Sequence, residues 1–195
     1  NRVGDAGFDD HVASVAAEAF EGVDVSHVKA LGRYTGPAYK SVNGFLRTGE
    51  EAAIKRYGAK AVAEAPAIIE GAKAALAVLP KAPADMVLFR GALFRNVEGL
   101  NELAAASEFE SKAFLSTSRD PKVAVGFGGG EFGDEPSVLY RIKKHTNGAV
   151  LPRTHSNPAE SEVLFPPGAR FKIVGRQRVS ETQLVLDVEE IHAAH

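Results

Sequence analysis

The chain has 195 residues, with 23 lysines and arginines against 25 aspartates and glutamates, a formal net charge of −2. That length accommodates one domain with a full core, and the near-neutral balance weighs against nucleic acid as the default partner. The sequence has 0 cysteines, which excludes disulfides, thiolate-bound zinc and thiol catalysis, and it contains no run of about 18 apolar residues that could cross a membrane.

The chain opens at Asn1 without a signal-like segment, which predicts a processed or excised piece whose delivery apparatus lies elsewhere. Residues 1–82 read as helical. Phe8, Val12, Val15, Ala16, Ala19 and Phe20 fall at helical spacings between Asp9 and Gly22. Ser26 is expected to cap a second helix through Leu31, stopped by Gly32. Thr35 is expected to cap a third, with Pro37 in the first turn, where its missing N–H needs no partner. Asn43 and Arg47 then share one helix face, a spacing that by itself describes a solvated polar pair. Ala59 to Leu79 reads as an alanine-rich helix, interrupted or kinked at Pro66. Pro80-Lys81-Ala82-Pro83 separates this helical half from a strand half, 83–195, and is too short for a free linker, so 1–195 is expected to pack as one domain.

Met86 to Gly91 reads as a strand. Its period puts Arg90 on a face with Met86 and Leu88, so the guanidinium needs an anionic partner or an exit to water. Gly91 lets another group approach the backbone closely. A weak helix over 97–108 follows, then the strand Phe114-Leu115-Ser116-Thr117-Ser118, with Ser116 and Ser118 on one face and Thr117 opposite. Gly128-Gly129-Gly130-Glu131-Phe132-Gly133 matches the dinucleotide fingerprint formally but lacks the strand before it and the helix after it, so it reads as a glycine loop. Val138 to Ile142 is a strand, and Asn147-Gly148 reads as a tight hairpin turn. Val163-Leu164-Phe165 is a short buried strand closed by Pro166-Pro167-Gly168. Glu160 and Glu162, at i and i+2, share a face at its entrance, their Cα atoms roughly 6.5–7 Å apart, a separation suited to carboxylates flanking a glycosidic bond. Arg170–Val174 and Leu184–Val188 complete the strand half. No Ser-His-acid spacing supports a hydrolase triad, and the 6 histidines have no metal-ligand spacing, so no metal is assigned.

Three of these stretches in this order, Leu88-Phe89-Arg90-Gly91, Phe114 to Ser118, and Glu160 to Gly168, resemble the Arg-Ser-Glu class of mono-ADP-ribosyltransferases, a group that holds bacterial toxins and effectors. Tyr34-Thr35-Gly36 with Asn43 and Arg47 looks like the helical lobe of its binary-toxin members. The resemblance implies an α+β ADP-ribosyltransferase fold, an N-terminal helical lobe packed on a mixed two-sheet β core with a cleft for NAD as substrate. It implies that Arg90 holds the NAD phosphates, with Arg47 adding a contact and Asn43 in the same lobe wall. Gly91 would bind the nicotinamide carboxamide through its backbone, and Phe127 would stack on the ring. Ser116 would orient Glu162, and Glu162 would hold the ribose.

The expected chemistry follows from the leaving group. Nicotinamide departs neutral and needs no general acid, while the ribosyl cation left behind is stabilised by a carboxylate, here Glu162. A guanidinium acceptor must lose a proton before it attacks, and Glu160 can pair with it and take that proton. In the family, Glu-x-Glu accompanies arginine modification and Gln-x-Glu other acceptors, so Glu160 implies a target-protein arginine. The resemblance further implies a toxin or effector, secreted or delivered into the cytoplasm of a target cell, with a neutralising partner protein. Relatives carry an aromatic before the second carboxylate for target recognition; Pro152 to Ala159 offers only His155 as a ring. An NAD glycohydrolase, a nucleic-acid acceptor and a catalytically inactive binding module remain the alternatives.

Overall fold

In a computed structural model, which describes residues 23–127, 135–151 and 162–192, the first helix starts from Asp24. The Asp24 carboxylate accepts from the Ser26 N–H at 2.8 Å and from the Ser26 hydroxyl at 2.6 Å, capping α1 (Val25–Thr35). Ser26 is therefore inside the helix rather than its cap, and α1 continues through Gly32. Packing of Val28, Leu31 and Tyr34 outweighs the roughly 1 kcal/mol that a mid-helix glycine costs. Thr35, expected as the next cap, instead ends α1, its hydroxyl donating to Leu31 O at 3.1 Å. The helix predicted over Asp9–Gly22 lies outside the described residues.

Three helices then follow with almost no connecting chain: α2 (Tyr39–Thr48), α3 (Glu50–Tyr57) and α4 (Ala59–Val78). The joints are single glycines, Gly49 at φ +85° and Gly58 at φ +91°, a left-handed conformation that side chains disfavour. Pro66 does not interrupt α4, which runs 20 residues through it. The buried face Val62, Ala65, Ile68, Ile69, Ala72 and Leu76 holds it, packed against Val28 and Leu31 of α1. At Gly71 the helices come so close that a Cβ would lie 2.4 Å from Ala30 Cβ.

The strand half contains β1 (Leu88–Leu93), β2 (Glu108–Ser111), β3 (Leu115–Ser118), β4 (Ser137–Lys144), β5 (Ala149–Val150), β6 (Glu162–Phe165), β7 (Ala169–Ser180) and β8 (Gln183–Glu190). Helix α5 (Val97–Ala105) follows β1, and α6 (Pro121–Phe127) follows β3. Helix α5 stops short of the predicted 108 because the Arg176 guanidinium takes the Ala104 and Ala106 carbonyls, and the chain then pairs with β7 as β2. The expected hairpin at Asn147-Gly148 is not one. Strand β4 pairs with β1 and β8, whereas β5 pairs with β6, and Glu190 secures the intervening loop by accepting from Thr146 N, Asn147 N and Asn147 Nδ2 at 2.7, 3.0 and 2.9 Å.

The mixed core is one hydrogen-bonded sheet of order β2-β7-β8-β4-β1-β3-β6-β5, where two sheets were expected. The difference is narrow. Strand β1 is in register with β4 from Leu88↔Ile142 to Leu93↔Ser137, yet it meets β3 at Phe89↔Ser118 alone. Beyond that pair the β1–β3 ladder stops, and the fork faces the helical lobe.

Candidate active site

Pairing of β3 with β6 sets Ser116 opposite Leu164 and Ser118 opposite Glu162. Directly opposed residues share a sheet face, as do residues two apart, so Ser116, Ser118, Glu162 and Leu164 all face one way. Leu164 identifies that face, because it is buried in the core cluster of the helical lobe, whereas Val163 and Phe165 belong to the cluster on the other side. Thr117 faces away, its buried hydroxyl donating to Val163 O at 2.7 Å. Ser118 turns its hydroxyl to the chain ahead, accepting from Asp120 N at 3.0 Å, and Asp120 in turn accepts from Lys122 N at 2.9 Å to start α6. Ser116 and Glu162 are the polar pair on this face that line the cleft.

The cleft has a volume of about 690 Å³ and lies between the fork and the helical lobe. Arg90 reaches across the fork from β1 and donates from Nη1 to Ser116 O at 3.0 Å. On the lobe side, Tyr39, Asn43 and Arg47 follow one another at i, i+4 and i+8 along α2 and present one face to the cleft. Asn43 Nδ2 donates to the Tyr34 hydroxyl at 3.0 Å, and the Tyr34 ring stacks 4.3 Å from that of Phe114. Both polar residues are deep, Tyr34 at 3% and Asn43 at 9% exposure, and Asn43 Oδ1 has no hydrogen-bond partner among the described residues.

Electrostatics tie these groups into one site. Burial pushes the Tyr34 phenol up to about 12; the Asn43 bond acts against the rise, the Glu162 charge adds to it, and Arg90 lowers it. Burial first, then the charge of Arg47, pull the Arg90 guanidinium below its ordinary value, with Tyr34, Tyr140 and Glu162 acting the other way. It remains a cation. Arg47 is exposed and has no ion pair among the described residues. A second cavity of about 320 Å³ begins at these same two arginines and is lined by Phe109, Lys112, Leu115 and Tyr140. Burial pushes the Tyr140 phenol up to about 12 as well, against the pull of Arg90.

The family model for the ADP-ribosyltransferase exoenzyme matches residues 15–192. The chain belongs to that family. It is 28% identical over 160 residues to Mav of Mycobacterium avium, named as an NAD(+)–arginine ADP-ribosyltransferase, a match covering 79% of this chain and 16% of that protein. It is 27% identical over 180 residues to Vis of Vibrio splendidus, which bears the same enzyme name, covering 88% of this chain and 67% of Vis. The crystal structure of Vis in complex with agmatine superposes with a TM-score of 0.71 at 24% identity, covering 99% of this chain and 88% of that one. Exoenzyme S of Pseudomonas aeruginosa, solved with human 14-3-3 protein beta and bound to Carba-NAD, superposes at 0.64 with 22% identity, covering 93% of this chain and 88% of that one. The fold is the ADP-ribosyltransferase fold. The chain spans a sixth of the Mav protein and two thirds of Vis.

In this exoenzyme domain, the sequence-predicted Arg90, Ser116, Glu162, Asn43 and Arg47 all line the one cleft. Gly91 is buried in β1 opposite Leu139, and Phe127 is the last residue of α6. Glu160 lies outside the described residues. The sequence reading gave no site role to Tyr34, Tyr39, Tyr57, Lys40 or Arg56, which also line the cleft, nor to Tyr140 beside Arg90. The i, i+4, i+8 spacing of Tyr39, Asn43 and Arg47 was a legible signal, whereas Arg56 and Tyr57 reach the site only through the turn at Gly49. Helix α6 had a signal too: Ser118, Asp120 and Pro121 form a cap followed by a first-turn proline.

Proposed function

We propose that this ADP-ribosyltransferase exoenzyme domain cleaves NAD and transfers its ADP-ribose to an arginine side chain of a target protein, releasing nicotinamide. The observation that carries the reading is the meeting of Arg90, Ser116 and Glu162 at the fork between β1 and β3, under a lobe wall that adds Arg47 and Asn43. Arg47 and Arg90 line both cavities, which supports a pyrophosphate held on these cations with one nucleoside in each.

In the reaction, the bond between ribose C1′ and the nicotinamide nitrogen breaks and its electron pair leaves with the neutral ring. Glu162 stabilises the positive charge left on the ribose, and Ser116 orients it. A guanidine nitrogen of the target then bonds to C1′ and gives up a proton, which Glu160 accepts. Phe127 stacks on the nicotinamide and Gly91 holds its carboxamide. Support for arginine as the acceptor comes from the Glu160-x-Glu162 pair, the names of Mav and Vis, and the agmatine held by Vis. Vis is named a toxin, which supports secretion or delivery of this domain and action in a target-cell cytoplasm.

The test is incubation with labelled NAD and agmatine, followed by hydroxylamine, which should release the label from a guanidine-linked ribose. Glu160→Gln should lower agmatine labelling by orders of magnitude more than it lowers NAD cleavage by water. Absence of any labelled guanidine, with NAD still consumed, would replace this reading with NAD hydrolysis.

A further inference from the structure

The helical wall of the cleft carries more positive charge than a dinucleotide needs. Lys40 of α2 and Arg56 of α3 both line it, both are exposed, and neither has an ion pair among the described residues. Some other surface cations pair, as in Arg33–Glu64, Lys55–Glu51, Lys73–Glu70 and Arg141–Asp187, and others such as Lys60, Arg95 and Lys122 have no ion pair among the described residues. Each cation of this lip is instead set against an aromatic ring, Lys40 Nζ 5.8 Å from the centre of Tyr39 and the Arg56 guanidinium carbon 5.5 Å from that of Tyr57. Tyr57 in turn is seated on bare backbone: a Cβ on Gly44 would stand 2.3 Å from the Tyr57 ring. A glycine inside a helix costs about 1 kcal/mol, and here it lets α3 settle with Arg56 lining the cleft.

The two charges of a pyrophosphate are matched by Arg47 and Arg90, which line both cavities. Lys40 and Arg56 are left over, and they line the same cleft as Glu162, toward which the acceptor must come. A bare arginine coming toward Glu162 is repelled by both. An arginine with carboxylates beside it is not, because those carboxylates can pair with the lip while the guanidinium goes in. This is selection by repulsion of the wrong surroundings as much as attraction of the right ones.

We propose that Lys40 and Arg56 form a docking lip for carboxylates flanking the target arginine, so that this domain selects arginines in acidic surroundings on its target protein. The inference rests on the arginine-transfer reading above and names the kind of protein surface that reading requires.

The experiment compares two short peptides, one with arginine between glutamates and one with arginine between lysines, with agmatine as the bare acceptor. The wild-type domain should favour the glutamate peptide in kcat/KM by about tenfold at low salt, and the ratio should shrink as salt screens the lip. Lys40→Glu with Arg56→Glu should invert the preference. Should that double variant misfold, Lys40→Ala with Arg56→Ala should bring the ratio close to one. Equal use of both peptides by the wild type overturns the proposal, as does a preference that either folded double variant retains. A retained preference together with a raised KM for NAD would assign the lip to the dinucleotide. Labelling of an oligonucleotide in place of either peptide would overturn it in favour of a nucleic-acid target. If agmatine itself is not labelled, the arginine reading has failed; if agmatine is labelled and the peptides are not distinguished, only the docking lip has.

Discussion

Arg90 Nη1 donates to the backbone oxygen of Ser116 at 3.0 Å, across the gap where β1 and β3 part after the single pair Phe89↔Ser118. One guanidinium thus holds the fork from a position that also lines the cleft. Arg90→Lys keeps the charge and loses the planar fork, so an ammonium has to divide itself between Ser116 O and a phosphate. NAD affinity measured by titration calorimetry should fall by about tenfold or more, with the fold intact. Unchanged affinity in a folded Arg90→Ala variant would make Arg90 a structural brace only.

Glu162 enters the cleft from the first residue of β6. Glu162→Gln preserves shape and removes the charge that faces the ribosyl cation. Arginine transfer and NAD hydrolysis should drop together by about 10²–10³-fold, as when one preorganised electrostatic group is lost, and NAD binding should change much less. Near-normal hydrolysis in this variant would take Glu162 out of the chemistry.

Tyr34 gives a pH signature. Its phenol is raised from 10.0 to about 12 by burial, so the neutral form is favoured in the folded state. Below about pH 10 both states keep the proton and the contribution is complete. Above it the unfolded chain releases a proton that the folded one retains, and stability falls until the pH passes the folded value. Chemical denaturation of wild type and Tyr34→Phe should therefore show curves that converge by about 1–3 kcal/mol as the pH rises from 9 to 12. Parallel curves over that range would mean that Tyr34 titrates as it does in water.

Gly44→Ala sets two effects against each other. Alanine is the better helix former by about 1 kcal/mol, but its Cβ would stand 2.3 Å from the Tyr57 ring. The clash should prevail, destabilising the domain by about 1–2 kcal/mol. Adding Tyr57→Ala should recover most of that loss, a coupling readable in a double-mutant cycle. Additive effects would show that the ring moves aside freely.

The strands that build the site were legible because their signals are local. Arg90-Gly91, Ser116 and the run ending at Pro166-Pro167-Gly168 each combine an apolar alternation with a defined stop, and the structure puts them on adjacent strands. The errors came where a partner distant in sequence decides. Asn147-Gly148 has turn residues, yet the two strands flanking it pair elsewhere, and Glu190 holds the loop from 43 residues away. Helix α5 ends where Arg176 takes its last carbonyls, again through a contact that local propensity does not encode. The cap of α1 was missed by two residues because serine and aspartate both satisfy the preference, and only geometry tells which oxygen reaches the N–H. Two sheets and one sheet differ here by a single register pair, which no pattern of apolar residues can specify.

The single-residue joints at Gly49 and Gly58 leave the lobe no slack. A helix turns by about 100° per residue, so one residue inserted within α3 ahead of Arg56 would swing Arg56 and Tyr57 away from the cleft. Length in this stretch is consequently fixed as tightly as identity. Divergence among relatives can change what side chains α3 carries, but additions to the chain have to be accommodated in other connections, where no wall of the site is displaced.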